Sequence, residues 1–115
     1  NLNEIAENIL SLGSDSLIIK QGEDGATFFD GDTSFSIKAY PVSKVMDTTG
    51  AGDVFAGGIL SSKMAGKNMK ESMIAGATMA SFCVEGFGVE SLLSATPELL
   101  EHRVSTIKQT LVETV

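Results

Sequence analysis

Seven residues, Asp47-Thr48-Thr49-Gly50-Ala51-Gly52-Asp53, constrain this chain more than any other stretch in it. Gly50, Ala51 and Gly52 carry almost no side chain, an acid follows at once, and Val54-Phe55-Ala56-Gly57-Gly58-Ile59-Leu60 takes up helical spacing. Phe55, Ile59 and Met64 recur on one face, which predicts a helix from about Gly50 to Ala65 packed on a core. A glycine-rich turn that opens a helix leaves backbone N–H groups without intrahelical partners. With the positive end of the helix dipole, those donors make an anion site whose usual guest is phosphate. Asp53 then sets a carboxylate at the mouth of a site built for negative charge. A carboxylate in that place can take a proton from an alcohol attacking a phosphoryl group. The plainer reading is a helix cap, with Gly supplying backbone freedom and Asp a favourable first-turn charge. For Gly50-Ala51-Gly52 alone that reading is the better one, but the whole string is far more specific.

The string resembles the C-terminal signature of the ribokinase-like (PfkB) carbohydrate and nucleoside kinases, D-[TP]-[TVN]-G-A-G-D followed by a helix with small residues. The resemblance extends over most of the chain and corresponds to the C-terminal portion of such an enzyme. It implies an α/β fold in which residues 1–115 form a single segment of a doubly wound domain, with a short sheet, a hairpin and about four helices. It also implies ATP-dependent phosphorylation of a hydroxyl on a sugar or nucleoside, with Mg2+ accompanying ATP. The family's Asn-x-x-Glu motif, its substrate-binding segment and its lid have no counterpart in this sequence. The chain opens on Asn1 inside a helical pattern, as a processed or truncated product would. On that reading the chain is inactive by itself.

Composition narrows the alternatives. The 115 residues suffice for one domain. Eight Lys and Arg stand against fifteen Asp and Glu, a formal charge of -7, which disfavours nucleic acid as a partner. No apolar run reaches the length of a membrane span and no signal peptide opens the chain, so neither membrane insertion nor secretion is expected. A single cysteine, Cys83, has no internal disulfide partner, in keeping with a cytoplasmic location. His102, the only histidine, belongs on a helix surface.

Asn1 to Leu12 reads as a helix with Ile5, Ile9 and Leu12 on one face, Asn3 as its cap and Gly13 at its end. Ser16 to Lys20 has the β-branched, apolar look of a buried parallel strand. Ala26 to Asp30 and Asp32 to Tyr40 form a hairpin about an Asp30-Gly31 turn, Phe35 and Ile37 alternating with Ser34 and Ser36. Pro41 opens a connector into the signature. Beyond the Gly66-Lys67-Asn68 break, a helix from about Lys70 to Glu85 has Met73, Ala77, Ala80 and Val84 as its buried stripe. Thr96-Pro97-Glu98 starts a last helix, with Leu100, Val104, Ile107 and Leu111 on its inner face.

The residues themselves leave several roles open. Lys20-Gln21-Gly22-Glu23-Asp24-Gly25 is a tight turn at the carboxyl end of a strand, where ligands of α/β sheets collect; a phosphate contact and a simple turn are equally good readings. Small residues at Ala77 and Ser81 ordinarily mean close packing. The resemblance adds assignments. It implies an anion hole from the N–H groups of Gly50, Ala51 and Gly52, and Asp53 as general base. Lys20, Gly22 and Gly25 fall near the phosphates, with adenine against Ala77 and Ser81, while Thr48 either adds a hydroxyl contact to phosphate or shapes the turn. A monovalent cation, K+, would be held by Asp47, Thr49 and carbonyls near Val84 and Phe87. Two other readings remain: a nucleotide-binding module without turnover, and a piece that self-associates, as a homodimer, through an open sheet edge.

Overall fold

The computed structural model describes residues 1–42, 45, 48–86, 93 and 95–114. In chain order they form α1 (Leu2–Leu10), β1 (Leu17–Lys20), β2 (Ala26–Phe29), β3 (Ser34–Ile37), α2 (Ala51–Met64), α3 (Met69–Glu85), α4 (Pro97–Lys108) and β4 (Val112–Thr114). The short sheet, the hairpin and the four helices match the expectation. The sheet runs β1-β2-β3-β4 and every pairing in it is antiparallel. The parallel strand expected at β1 is therefore corrected: its pairing is with β2, Leu17 to Ile19 are only half-buried, and no parallel partner lies among the described residues.

The hairpin shows how side chains set the register. Asp30 Oδ1 accepts the N–H groups of Asp32 at 3.1 Å and Thr33 at 2.8 Å, and the Thr33 hydroxyl at 3.1 Å. Its own N–H donates to the Thr33 carbonyl at 3.2 Å. The tip thus falls on Gly31-Asp32, one residue later than the sequence suggests, with Gly31 at φ +98°. An aspartate that collects N–H groups is worth more to the turn beside the tip than on it.

Alternation along the hairpin brings Ala26 and Phe28 of β2 and Phe35 and Ile37 of β3 onto one buried face. Phe28 and Phe35 are direct cross-strand partners, their ring centroids 5.1 Å apart. Against this face pack Phe55 and Ile59 of α2, Met73 and Ile74 of α3 and Ile107 of α4. Each such side chain contributes about 1.5–3 kcal/mol on burial.

Several expected core positions fall elsewhere. Met64 is 82% exposed, because it lies about 140° around the helix from Ile59. On α1 the buried residue is Ala6, Ile5 and Leu12 are exposed, and Asn1 rather than Asn3 is the cap, accepting the Glu4 N–H at 3.0 Å. Val104 is exposed, and Arg103, one turn before Ile107, takes the inward place on α4. β4 extends the sheet beyond anything the sequence signals. The Thr96 cap stands, accepting the Leu99 N–H at 3.2 Å, while Asn68, read from the sequence only as part of a break, closes a capping box with Glu71 on α3.

Helices α2 and α3 approach through paired glycines. A Cβ on Gly58 would meet the Gly76 Cα at 2.7 Å, and one on Gly76 would meet the Phe55 carbonyl oxygen at 2.6 Å. Both obstacles are backbone, so neither helix can yield without moving as a whole. Gly76→Ala is expected to destabilise the fold by about 1–3 kcal/mol. Gly57→Ala faces open space one position away and should be neutral or stabilise by up to about 1 kcal/mol. Urea unfolding of the two variants checks both, and equal midpoints would contradict the close approach.

The Asp30 contacts also carry a pH dependence. Hydrogen bonds from Thr33 and Asp32 hold its carboxyl below the ordinary value of 3.8. A depressed carboxylate contributes stability that is present above the unfolded-state value and lost as pH falls through the lower folded value. The stability advantage of the native chain over Asp30→Asn should therefore be constant near neutrality and shrink only below pH 3.8, in paired melts across that range.

Candidate active site

Where β1 ends, the chain tightens into a 3-10 turn at Gly22–Asp24, flanked by two residues that only glycine serves well. Gly22 has φ +59°, and Gly25 combines φ +101° with a backbone so close to β3 that a Cβ would stand 2.0 Å from the Ile37 carbonyl oxygen. This turn carries Lys20 over the start of α2: a Cβ added at Gly52 would lie 2.8 Å from the Lys20 Nζ. An ammonium group thus sits at the N-terminal end of a helix.

The helix start is open. Gly50 occupies the cap position at φ +83° with no side-chain cap. The Ala51 N–H donates to the Thr48 carbonyl at 3.2 Å and the Val54 N–H to the Gly50 carbonyl at 2.9 Å. Between them, the N–H groups of Gly52 and Asp53 have no partner among the described residues. Of the donors named from the sequence, Ala51's is engaged in the turn and Gly52's is open, joined by that of Asp53. Open N–H groups, the helix dipole and a lysine make a site suited to phosphate oxygens.

From this corner a cleft of about 590 Å³ runs between the sheet and α3, a size ordinary for a small-molecule site. Lys20, Gly22, Gly25, Thr48, Ala51 and Gly52 line one end of it, and Ala77 and Ser81 line the wall formed by α3. Gly50, Thr49 and Asp53 are not part of the lining, and Asp53 is exposed beside the α2 start. The Thr49 carbonyl lies 3.8 Å from the Cys83 Sγ, next to the end of α3. Asp47 and Phe87, both named for the cation, lie outside the described residues.

The sequence reading missed other walls of the cleft. Ala80 and Val84 share the α3 face of Ala77 and line the cleft, Ala77 and Ala80 also packing against the core. Their spacing was visible; only its meaning was not. Tyr40, Val42 and Val45, none of them in a helix or strand, also line the cleft. The Ser81 hydroxyl is already committed, donating to the Thr78 carbonyl at 2.6 Å and accepting from Arg103 Nη1 at 2.9 Å. Among the described residues no cluster of three or more His, Cys, Asp or Glu side chains stands ready for a metal, and no helix is long and apolar enough to cross a membrane.

A sequence model of the pfkB family carbohydrate kinases matches residues 1–96. The chain belongs to that family. Among PfkB relatives, a nucleoside kinase of Methanocaldococcus jannaschii is 33% identical over 94 residues, covering 78% of this chain and 31% of the relative. The crystal structure of a Thermotoga maritima ribokinase superposes at a TM-score of 0.77 with 30% identity, covering 91% of this chain and 35% of that one. An Arabidopsis thaliana ribokinase, crystallised with ribose and ATP, superposes at 0.78 with 26% identity, over 90% and 33% of the two chains. The chain thus has the ribokinase-like fold and spans about a third of the length of these PfkB proteins.

The Lys20 corner is directly testable. Lys20→Met should weaken binding of inorganic tripolyphosphate about tenfold, the usual worth of a charge-assisted hydrogen bond. Gly52→Ala should push the ammonium aside and weaken binding similarly while leaving the melting temperature unchanged or raised, since Ala favours a helix. Calorimetric titration with a parallel melt reads both. Undiminished affinity in both variants would remove the corner from anion binding.

Proposed function

We propose that this PfkB segment binds the phosphates of ATP at the Lys20 and α2 corner and supplies the general base for phosphorylation of a sugar or nucleoside hydroxyl. The observation that carries the reading is the joining of two unlike surfaces in one cleft. One end has open N–H groups and an ammonium, and the α3 wall has Ala77, Ala80 and Val84. A nucleotide has the same two-part character, with charged phosphates and a flat apolar base. Small side chains on α3 suit a planar group because nothing stands proud of the wall.

Asp53 sits in the first turn of α2, beside the proposed phosphate position and facing solvent rather than the cleft. A base there meets a hydroxyl that arrives from outside the cleft. The new bond joins the acceptor oxygen to the terminal phosphorus, the bond from that phosphorus to its bridging oxygen breaks, and the hydroxyl proton passes to Asp53. Gly52 and Asp53 N–H groups stabilise the charge on the transferring group. Mg2+ would neutralise phosphate charge when bound with ATP. Among the described residues Glu23 is the one carboxylate lining the cleft, and together with the phosphates it would hold the ion. No step is assigned to the metal. The K+ reading is supported only by the closeness of the Thr49 carbonyl to the end of α3.

A second reading, nucleotide binding without turnover, is favoured by the exposure of Asp53, which stands outside the lining of the cleft. Turnover with a panel of sugars and nucleosides, on this chain and on any longer polypeptide containing it, separates the two. Where turnover is found, Asp53→Asn should lower it about 10²–10⁴-fold while changing ATP affinity little. Near-normal turnover in that variant would take Asp53 out of the role.

A further inference from the structure

Arg103 is the one arginine or lysine buried in the described structure, 8% exposed on a helix that lies beyond the family-matched residues 1–96. Its guanidinium is held on every side. One face lies 3.8 Å from the Phe82 ring centroid, and the Tyr40 ring centroid is 4.5 Å away. Nη1 donates to the Ser81 hydroxyl at 2.9 Å, and Nη2 forms an ion pair with Glu85. Arg103 does not itself line the cleft, but Tyr40 and Ser81 both do.

Stability alone is a poor reason for this arrangement. Buried ion pairs are often matched or bettered by apolar side chains of similar volume, because desolvation offsets their attraction. A guanidinium does two things that an apolar group cannot. It fixes the direction of the Ser81 hydroxyl, and it draws a tyrosine ring against its face. The second matters because Tyr40 stands in the connector, where neither helix nor strand holds the backbone in place. The His102 ring, edge-on to Tyr40 with centroids 6.2 Å apart, closes around the same residue from the same helix.

We infer that Arg103 is a positioning residue for the base end of the cleft, holding Tyr40 and Ser81 as a wall against which a nucleobase lies. The inference rests on the nucleotide reading above and deepens it. It assigns base affinity to α4, an element outside the matched segment, and leaves phosphate affinity to Lys20 and the start of α2. A part of nucleotide recognition then depends on residues beyond those that the family's sequence model matches.

Tyr40 is the only tyrosine and the chain has no tryptophan, so intrinsic fluorescence reports this wall alone. The full chain is titrated with ATP and with inorganic tripolyphosphate, which has charge but no base, and inner-filter loss is corrected with free N-acetyltyrosinamide. In the native chain ATP should quench Tyr40 and tripolyphosphate should bind without quenching. Arg103→Met should lower ATP affinity about tenfold, as expected for a lost cation–π and hydrogen-bond clamp, and shift tripolyphosphate affinity less than twofold. Arg103→Lys keeps the charge and stem but not the planar fork; it should show a smaller loss of the same kind and serves if the Met variant fails to fold.

Parallel loss of both ligands, or unchanged ATP affinity, in a variant with a native circular dichroism spectrum overturns the inference. A native chain that binds tripolyphosphate but shows no preference for ATP overturns the nucleotide reading itself, before any variant is compared. Lys20→Met provides the contrast, since it should weaken both ligands together.

Discussion

The contact between Gly58 and Gly76 sets the geometry on which the site depends. Backbone meets backbone there, so the separation of α2 and α3 is fixed by covalent dimensions rather than by a choice of rotamers. Phe55 and Ile59 on one helix and Met73 and Ile74 on the other then reach the same sheet face. A looser spacing would open the core at the sheet and swing the start of α2 away from Lys20. The anion corner is thus a by-product of how two helices meet a full helical turn and more away from it.

The cleft divides its chemistry along its length. Charge is concentrated where a helix begins and a strand ends, both of which present main-chain groups with unfilled bonding capacity. The rest of the lining is mostly short or apolar, from the sheet, α3 and the residues after β3, with Glu23 and Lys38 as its other charged members. Such a division needs few specialised residues. It explains why a chain with an acidic balance still offers an anion a favourable place: the attraction is local, short in range and built from N–H dipoles and the Lys20 ammonium at the start of α2 rather than from net charge.

How much of this was legible depended on whether the signal was local. Thr96-Pro97-Glu98 announces a helix start because its capping is satisfied within four residues, and the Gly50-Ala51-Gly52 turn announces one through its run of small residues. The alternation of Phe35 and Ile37 with serines announces a strand face, an equally local signal. Long-range consequences were harder to read. Ala77, Ala80 and Val84 look alike whether they face a core or a cleft, and only the packing of the sheet opposite decides. Val104 seemed the better inward residue than Arg103 by polarity. An arginine goes inside when Glu85, Ser81 and two aromatic rings, 18 to 63 residues distant in sequence, are all waiting for it. β4 left no trace because three residues carry too little pattern and its place depends on β3. The parallel pairing anticipated for β1 failed for a related reason: composition tells how buried a strand is suited to be, but not which neighbour it finds.

The uncapped beginning of α2 has a consequence for the energetics of the whole chain. Leaving the Gly52 and Asp53 donors without a partner among the described residues, with glycine at the cap and again at the second helical position, makes this turn of helix costly to keep wound. The first turn of α2 should therefore fray ahead of the interior, and an anion that answers those donors repairs the helix as it binds. Occupancy and helix order become two readings of one equilibrium, with ligand concentration acting on the fold as a stabiliser through mass action. A protein built this way is tightest around its site only while the site is in use.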